Sequence, residues 1–458
     1  MRKRSQQERS SRPNLSSYKA AVPCDAPHGF MAAFQQLLGD REMPCIGKRR
    51  GRKPRVPLTR IVPALIFHFM NGAGTLAQHF FQLFNEPLAD SSWSDRRARL
   101  PWEVFAELMQ RMLRPRANRR AHPEAFWRRW RLLALDGTQF SVTNTPQIKG
   151  ALKKAKSRRG RAAFAKVTTG VLLEIGLHNP LAAAIGRNGQ SEWELARGLL
   201  SHLPKGVLLL ADRLHGCAAF AVEALNACQR VGSHFLFRAR SNVKGRVLKR
   251  FKDGSRLIRV PVRQKGNSSR ILQWLEVREI RVRVGRKGHR SQELRLWTSL
   301  LDWKEAPALE LAQLYAQRWE HELYYRQLKG QLRKSEVLQS HTVETAAQEI
   351  AALVLCSALL AVERARAAAG KVAVLRVSFV KVLELLQPLW LTLELGQDLL
   401  SERQKNELVK RFYKQMGRCV SAPRRTRSCP RAVRQPVTGW PRLQHNQSIE
   451  GPFKFQMV

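Results

Sequence analysis

Leu132-Leu133-Ala134-Leu135-Asp136-Gly137-Thr138 and, further along, Val207-Leu208-Leu209-Leu210-Ala211-Asp212-Arg213 are the two stretches that decide how this chain folds. Each is a short unbroken apolar run, the pattern of a strand buried on both faces of a sheet. Each runs straight into an aspartate. The C-terminal edge of such a strand is where open α/β sheets gather ligands. A single aspartate there is usually a turn former or a helix cap. Two in one α/β region point to a site.

Working outward, short apolar runs predict strands over 131–135, 139–142, 166–175, 181–185, 207–211 and 234–238, and helical spacing predicts helices over 192–203 and 218–231. Three strands followed by helix, strand, helix, strand predict an α/β layer: a mixed sheet with helices on both faces. Residues 240–293 interrupt it with period-2 alternation, as in Ile280-Arg281-Val282-Arg283-Val284, separated by turn signals such as Asp253-Gly254. This span holds 17 Lys and Arg against 4 Asp and Glu, which makes it a basic β-meander inserted into the core. The core pattern resumes with a strand over 294–300 and one long helix over 307–332. Further helices are predicted over 342–368, 372–395 and 401–415. Upstream, Ile61, Leu65, Ile66, Phe80, Phe81 and Phe84 have helical spacing, and Ser92 reads as the N-cap of another helix over 91–112.

These readings divide the chain into a basic N-terminal arm and linker (1–56), a helical DNA-binding domain (57–125), a first part of the core (126–239), and the insertion (240–293). A second part of the core (294–340), C-terminal helices (341–422) and a basic tail (423–458) follow. The tail carries five prolines and reads as disordered.

The charge names a class of partner. The 458 residues include 81 Lys and Arg against 35 Asp and Glu, a net +46. Such a field favours polyanions, and nucleic acid is the default because neutralised phosphates release their counterions. The N-terminus has basic residues with no apolar stretch behind them, so it is not a secretory signal. The longest apolar run, 350–362, is too short to span a bilayer and reads as a buried helix. Seven cysteines without a CxxC pair argue against disulfides and a zinc ribbon, and fit a reducing cytoplasm. Twelve histidines without HxxxH or HExxH spacing give no support to a histidine metal site.

A third carboxylate comes from the long helix. Tyr315, Arg318, Glu322 and Lys329 fall at about 0°, 300°, 340° and 320° around a helical wheel, within a stripe about 60° wide. The plain reading of such a stripe is a solvated face carrying an i,i+4 ion pair. The functional reading is an acid that completes a metal site, flanked by groups that hold a nucleic-acid backbone.

Tyr-x2-Arg-x3-Glu-x6-Lys resembles the signature of one large branch of bacterial insertion-sequence transposases of the DDE type, the Tyr-Arg-Glu-Lys (YREK) branch. Tyr315, Arg318, Glu322 and Lys329 match it at every position, and Asp136 and Asp212 look like the family's first two acids. The resemblance covers roughly 130–340. The chain departs from the pattern after the second acid, where Arg213-Leu214-His215-Gly216 stands in place of Arg-Gly-aromatic. The resemblance implies an RNase H-like core and a site in which Asp136, Asp212 and Glu322 bind two Mg2+ or Mn2+ ions, with Asp136 shared between them. It implies cleavage at transposon ends and strand transfer into target DNA, by a homodimer in the synaptic complex, in the bacterial cytoplasm at the nucleoid and not at a membrane. Tyr315, Arg318 and Lys329 would grip phosphates near the transposon end, and Trp319 would stack on a displaced base or pack in the core.

The insertion is expected to track DNA, with Arg281 and Arg283 on one face of a strand, and Lys153, Lys154, Arg158 and Arg159 form a second candidate backbone contact. His215 reads as a turn or helix-cap residue, and Trp297 as core. Three alternatives remain open from sequence: a metal-dependent nuclease without strand transfer, a catalytically inactive DNA-binding derivative, and a basic RNA-associated protein.

Overall fold

The computed structural model describes residues 26–44, 56–157, 160–264, 267–285, 291–422 and 454–457. The central feature is a sheet built on β1 (Trp130–Val142), β2 (Lys166–Glu174), β3 (Asn179–Ile185), β4 (Val207–Ala211) and β5 (His234–Arg238), in the spatial order β3-β2-β1-β4-β5. β2 is antiparallel to β1 and to β3, whereas β4 is parallel to both β1 and β5. This is the RNase H-like order, three consecutive strands followed by two more beyond the first. The runs predicted over 131–135 and 139–142 are one continuous strand, because Asp136-Gly137-Thr138 stay in ladder with β2 through Asp136–Val171 and Gly137–Gly170.

Alternation along β1 and β4 explains why both faces are covered. Leu133, Leu135, Leu209 and Ala211 pack with α6 (Glu192–Leu199) and α7 (Ala218–Arg230). Leu132, Ala134, Leu208 and Leu210 point the other way, onto α8 (Ala308–Tyr315). Trp297 is fully buried, as expected.

The basic segment is not a separate module. Its strands β6 (Arg246–Arg250), β7 (Arg256–Gln264) and β8 (Asn267–Gly285) extend the core sheet beyond β9 (Gln292–Thr298), the core strand predicted over 294–300, in the order β5-β9-β8-β7-β6. The joint is an antiparallel ladder in which Leu296 faces Arg238 and Thr298 faces Leu236. β10 (Lys454–Met457) pairs with β8 over Val282–Gly285. Four residues of the tail read as disordered are therefore in a strand, and residues 423–453 lie outside the described residues.

The helices flanking the core form one layer. α1 (Phe30–Leu38), α2 (Leu58–His68), α3 (Leu76–Phe84), α4 (Asp90–Ala98) and α5 (Trp102–Met112) share a hydrophobic core with α10 (Val343–Ala368), α11 (Phe379–Leu395) and α12 (Glu402–Arg418). Phe30 meets Phe67 and Trp390 edge-on, at 5.0 Å and 5.7 Å between ring centres. Residues 30–38, assigned from sequence to an arm, are thus part of that core. Ser92 is not a cap: α4 starts at Asp90, and Pro101 separates it from α5. α10 is long and apolar enough to cross a membrane, but 94 % of its most apolar window is buried inside the fold.

The helix predicted over 307–332 is interrupted. α8 passes through a 3-10 turn at Ala316–Arg318 into α9 (Trp319–Gln327), which ends in a π-turn at Leu328–Leu332. Such irregular turns often accompany functional positions.

Candidate active site

β1 and β4 pair in parallel from Arg131–Val207 to Leu135–Ala211. The next residue on each strand is an aspartate, so the end of this ladder sets Asp136 and Asp212 side by side. The Asp136 side chain is 15 % exposed and that of Asp212 35 %. Burial and the neighbouring charge of Asp212 push the Asp136 carboxyl up to about 7, against the pull of Arg318 and of the Gly137 N–H, which donates to Asp136 Oδ1 at 2.9 Å. Asp212 moves the other way. Burial alone would raise it as well, but the hydrogen bond and charge of His215 and the N–H of Leu214 hold it below the ordinary carboxylate range. Two like charges at close range have split into one acid that ionises easily and one that does not.

Glu322 arrives on α9, which is pinned over the sheet by two side chains. The Tyr325 hydroxyl donates to the Asp136 carbonyl at 2.8 Å, and buried His321 lies 3.0 Å from the Val171 carbonyl. Arg318, 14 % exposed, bridges the acids: its guanidinium donates to Glu322 Oε1 at 2.6 Å and to Asp136 Oδ2 at 3.4 Å. The i,i+4 pair foreseen on the helix exists, and its arginine also reaches across to the sheet. Among the described residues no three His, Cys, Asp or Glu are gathered closely enough to cage an ion. Arg318 stands between the carboxylates instead. The donors are hard oxygens at a site short of positive charge, which suits a divalent cation such as Mg2+.

The other motif residues are sorted by what they touch. Tyr315, expected on the DNA, is buried, and its hydroxyl donates to the carbonyl of Ala211, next to Asp212, at 3.2 Å. It braces the strand end. Lys329 donates to the Gln139 carbonyl at 2.8 Å, and burial with Arg333 nearby lowers its amine to about 8. Trp319 is 53 % exposed, which excludes core packing.

Outside the cluster, Arg283 and Lys153 are exposed. Arg281, expected to face DNA, donates to buried Glu279 at 2.9 Å, where Arg256 and Arg295 also converge. Lys154 donates to the Ala163 carbonyl at 2.7 Å. Arg158 and Arg159 lie outside the described residues.

Sequence reasoning missed two groups at the centre. His215 is a turn residue, as read, but it is fully buried, and its Nδ1–H donates to Asp212 Oδ1 at 3.0 Å. Asp212 Oδ1 also accepts the Leu214 N–H at 2.8 Å, closing a tight turn. Gly216 lets that turn pass, since a Cβ there would lie 1.8 Å from the Arg238 carbonyl oxygen. The departure from Arg-Gly-aromatic thus builds a different support for the second acid. The second missed group is Glu192, at the start of α6, whose Oε1 accepts the Gly137 N–H at 3.1 Å.

The family described as "Transposase DDE domain" matches residues 127–359, half of the chain, from the first core strand into α10. The chain belongs to this family. It is 27 % identical over 308 residues to the transposase InsG for insertion sequence element IS4 of Escherichia coli (strain K12), covering 65 % of this chain and 68 % of that one. A cryo-EM structure of the piggyBac transposase synaptic complex with hairpin DNA aligns over 90 % of this chain and 89 % of its own, with a TM-score of 0.47 and 10 % identity. DNA transposition by metal-dependent cleavage and strand transfer is the activity of the family, and DNA is the partner of this transposase.

The raised Asp136 carboxyl gives a pH signature. Its value near 7 lies above the ordinary one, so between the two values the folded state holds the proton more tightly than the unfolded chain. In this window the metal-free transposase loses stability as the pH rises toward about 7, and the loss is then complete. A cation bound by Asp136 would have to displace the same proton, so its affinity would rise over that window. Thermal melts without metal are expected to be lower at about pH 8 than at about pH 6, with added Mn2+ recovering more at the higher pH. Equal metal affinity at both would contradict this environment for Asp136.

Proposed function

We propose that Asp136, Asp212 and Glu322 are the metal-binding acids of a transposase that cuts the ends of its element and joins them to target DNA. The observation carrying this reading is Arg318: one guanidinium holds the helix acid and the first strand acid together where the strand ladder sets Asp212. Two bound Mg2+ or Mn2+ ions would activate the attacking water and stabilise the leaving oxygen of an in-line phosphodiester displacement. The three acids hold and orient. His215 keeps Asp212 ionised, and Tyr315 and Tyr325 fix the backbone beside Asp212 and at Asp136. Arg318 balances charge within the cluster and, with Lys329, offers cationic groups to the DNA backbone.

The proposed DNA-facing set is Arg318, Lys329, Trp319, Arg283 and Lys153. Two ends act together in a homodimer at the bacterial nucleoid, and terminal inverted repeats are the recognised sequence. Trp319→Ala is expected to weaken binding to ends carrying an unpaired base by about 1–3 kcal/mol, as for loss of a base-stacking aromatic. Fully paired ends should change little. A fluorescence titration with both substrates checks this, and equal losses on both would remove the stacking role.

The reading is tested by incubating the protein with labelled terminal-repeat DNA, target DNA and Mg2+. Cleaved ends joined to target support it. Cleavage without joining favours the nuclease alternative, and binding without cleavage favours an inactive derivative.

A further inference from the structure

We propose that Glu192 is a fourth carboxylate of the metal centre, contributing oxygen to the same cation as Asp136; this rests on the three-acid site proposed above. The Gly137 N–H is shared between two acceptors, Asp136 Oδ1 at 2.9 Å and Glu192 Oε1 at 3.1 Å. One hydrogen therefore holds both carboxylates at the same edge of β1, Asp136 from the α8 face and Glu192 from the α6 face, no farther apart than those two bonds allow.

Gly137 supplies an independent observation. Its backbone lies in the extended ladder with β2, where any residue fits, so its φ does not require glycine. What requires glycine is Glu192: a Cβ at position 137 would lie 2.3 Å from Glu192 Cγ and 2.4 Å from its carboxyl carbon. The three nearest atoms to that Cβ all belong to Glu192. The glycine after the first strand acid is a notch through which a glutamate from α6 reaches the acid cluster.

An acid in the first turn of a helix is ordinarily a dipole partner exposed to water. Glu192 has instead been turned onto the sheet edge, half-buried, within electrostatic reach of Asp136, Asp212 and His215. Three further carboxylates share this edge, and the guanidinium of Arg318 is committed to Asp136 and Glu322. Repulsion among Asp136, Asp212 and Glu192 is relieved by a divalent cation, and hard carboxylate oxygens are the donors that Mg2+ and Mn2+ accept. The imidazole Nε2 of fully buried His215 is also without a hydrogen-bond partner among the described residues. This edge of the sheet therefore holds polar capacity that its own side chains do not satisfy.

The test is Mn2+ binding by the full chain, followed by electron paramagnetic resonance without DNA, for the native protein, Glu192→Gln, Gly137→Ala and Asp136→Asn. Glu192→Gln keeps an acceptor for the Gly137 N–H and removes only charge, so folding should be retained, with a metal-free melt no lower than native. Expected is a loss of Mn2+ affinity of roughly 10–100-fold for Glu192→Gln, in the range seen when groups supporting a metal are removed. Gly137→Ala should lose affinity similarly by expelling the glutamate. The Gly137→Ala/Glu192→Ala pair should melt no lower than Glu192→Ala alone, because the overlap is gone. Native affinity in Glu192→Gln alongside a loss in Asp136→Asn would overturn the fourth ligand and leave the three-acid site standing. Native affinity in both would overturn the metal centre as well.

Discussion

Asp136→Asn, Asp212→Asn and Glu322→Gln are each expected to slow end cleavage by roughly a thousandfold or more, equivalent to about 4 kcal/mol of transition-state stabilisation. Affinity for the uncleaved end should stay within a few-fold, because the proposed phosphate contacts come from cations and not from the acids themselves. Stability distinguishes this loss from misfolding. Asp136 is a buried acid held near 7 by burial and by its neighbour Asp212, so a neutral asparagine removes repulsion. The metal-free Asp136→Asn protein should melt at or above the native temperature while losing its activity. Glu322→Gln frees one arm of Arg318 and should show a smaller change in melting. Gel assays with Mg2+ and calorimetry on the same preparations check both halves. Cleavage that survives all three substitutions would remove the assignment.

The largest effect on stability is expected at Glu174, remote from the chemistry. This fully buried carboxylate ends β2 and accepts the Arg116 N–H at 2.8 Å, the Ala117 N–H at 3.2 Å and Asn179 Nδ2 at 2.6 Å, and it pairs with Arg131. It therefore ties the chain leaving the helical layer to three strands of the sheet, β1, β2 and β3. Glu174→Ala leaves Arg131 without its partner and orphans two backbone donors, for an expected loss of about 3–5 kcal/mol in urea unfolding. Glu276→Ala breaks the exposed pair with Arg259 and should cost under about 1 kcal/mol. Similar losses at both positions would show that the Glu174 cluster does not carry the junction.

What could be read from the sequence follows the range of the interactions involved. Asp136 and Asp212 were legible because each ends its own apolar run, and the shared register follows from the parallel pairing of such runs. Glu322 was legible because helical spacing groups it with Arg318 and Lys329 even across two irregular turns. Glu192 was not: Ser191-Glu192-Trp193-Glu194 has the form of a capping box, and the chain does cap there through Ser191 and Glu194. Nothing in the spacing of residues 137 and 192 announces that Gly137 makes room for the second residue of that motif. The turn at His215 is legible but its burial is not, since that depends on α7 packing over it through Phe220, 4.9 Å away between rings. The partner of Arg281 is not legible because alternation assigns a face and not a neighbour, and Glu279 stands on that same face. The layer shared by the first and last helices, and the return of β10 to β8, join segments too distant in the chain for any local pattern to link.

The ladder from β3 to β6 is continuous, so the basic strands and the strand leading into Asp212 form one hydrogen-bonded plate. Were DNA gripped at the outer hairpins, a load on them would reach the edge carrying Asp136 and Asp212 through backbone hydrogen bonds in shear. Strain stored in the nucleic acid would then be felt where the bond is to be broken rather than dissipated in a flexible tether.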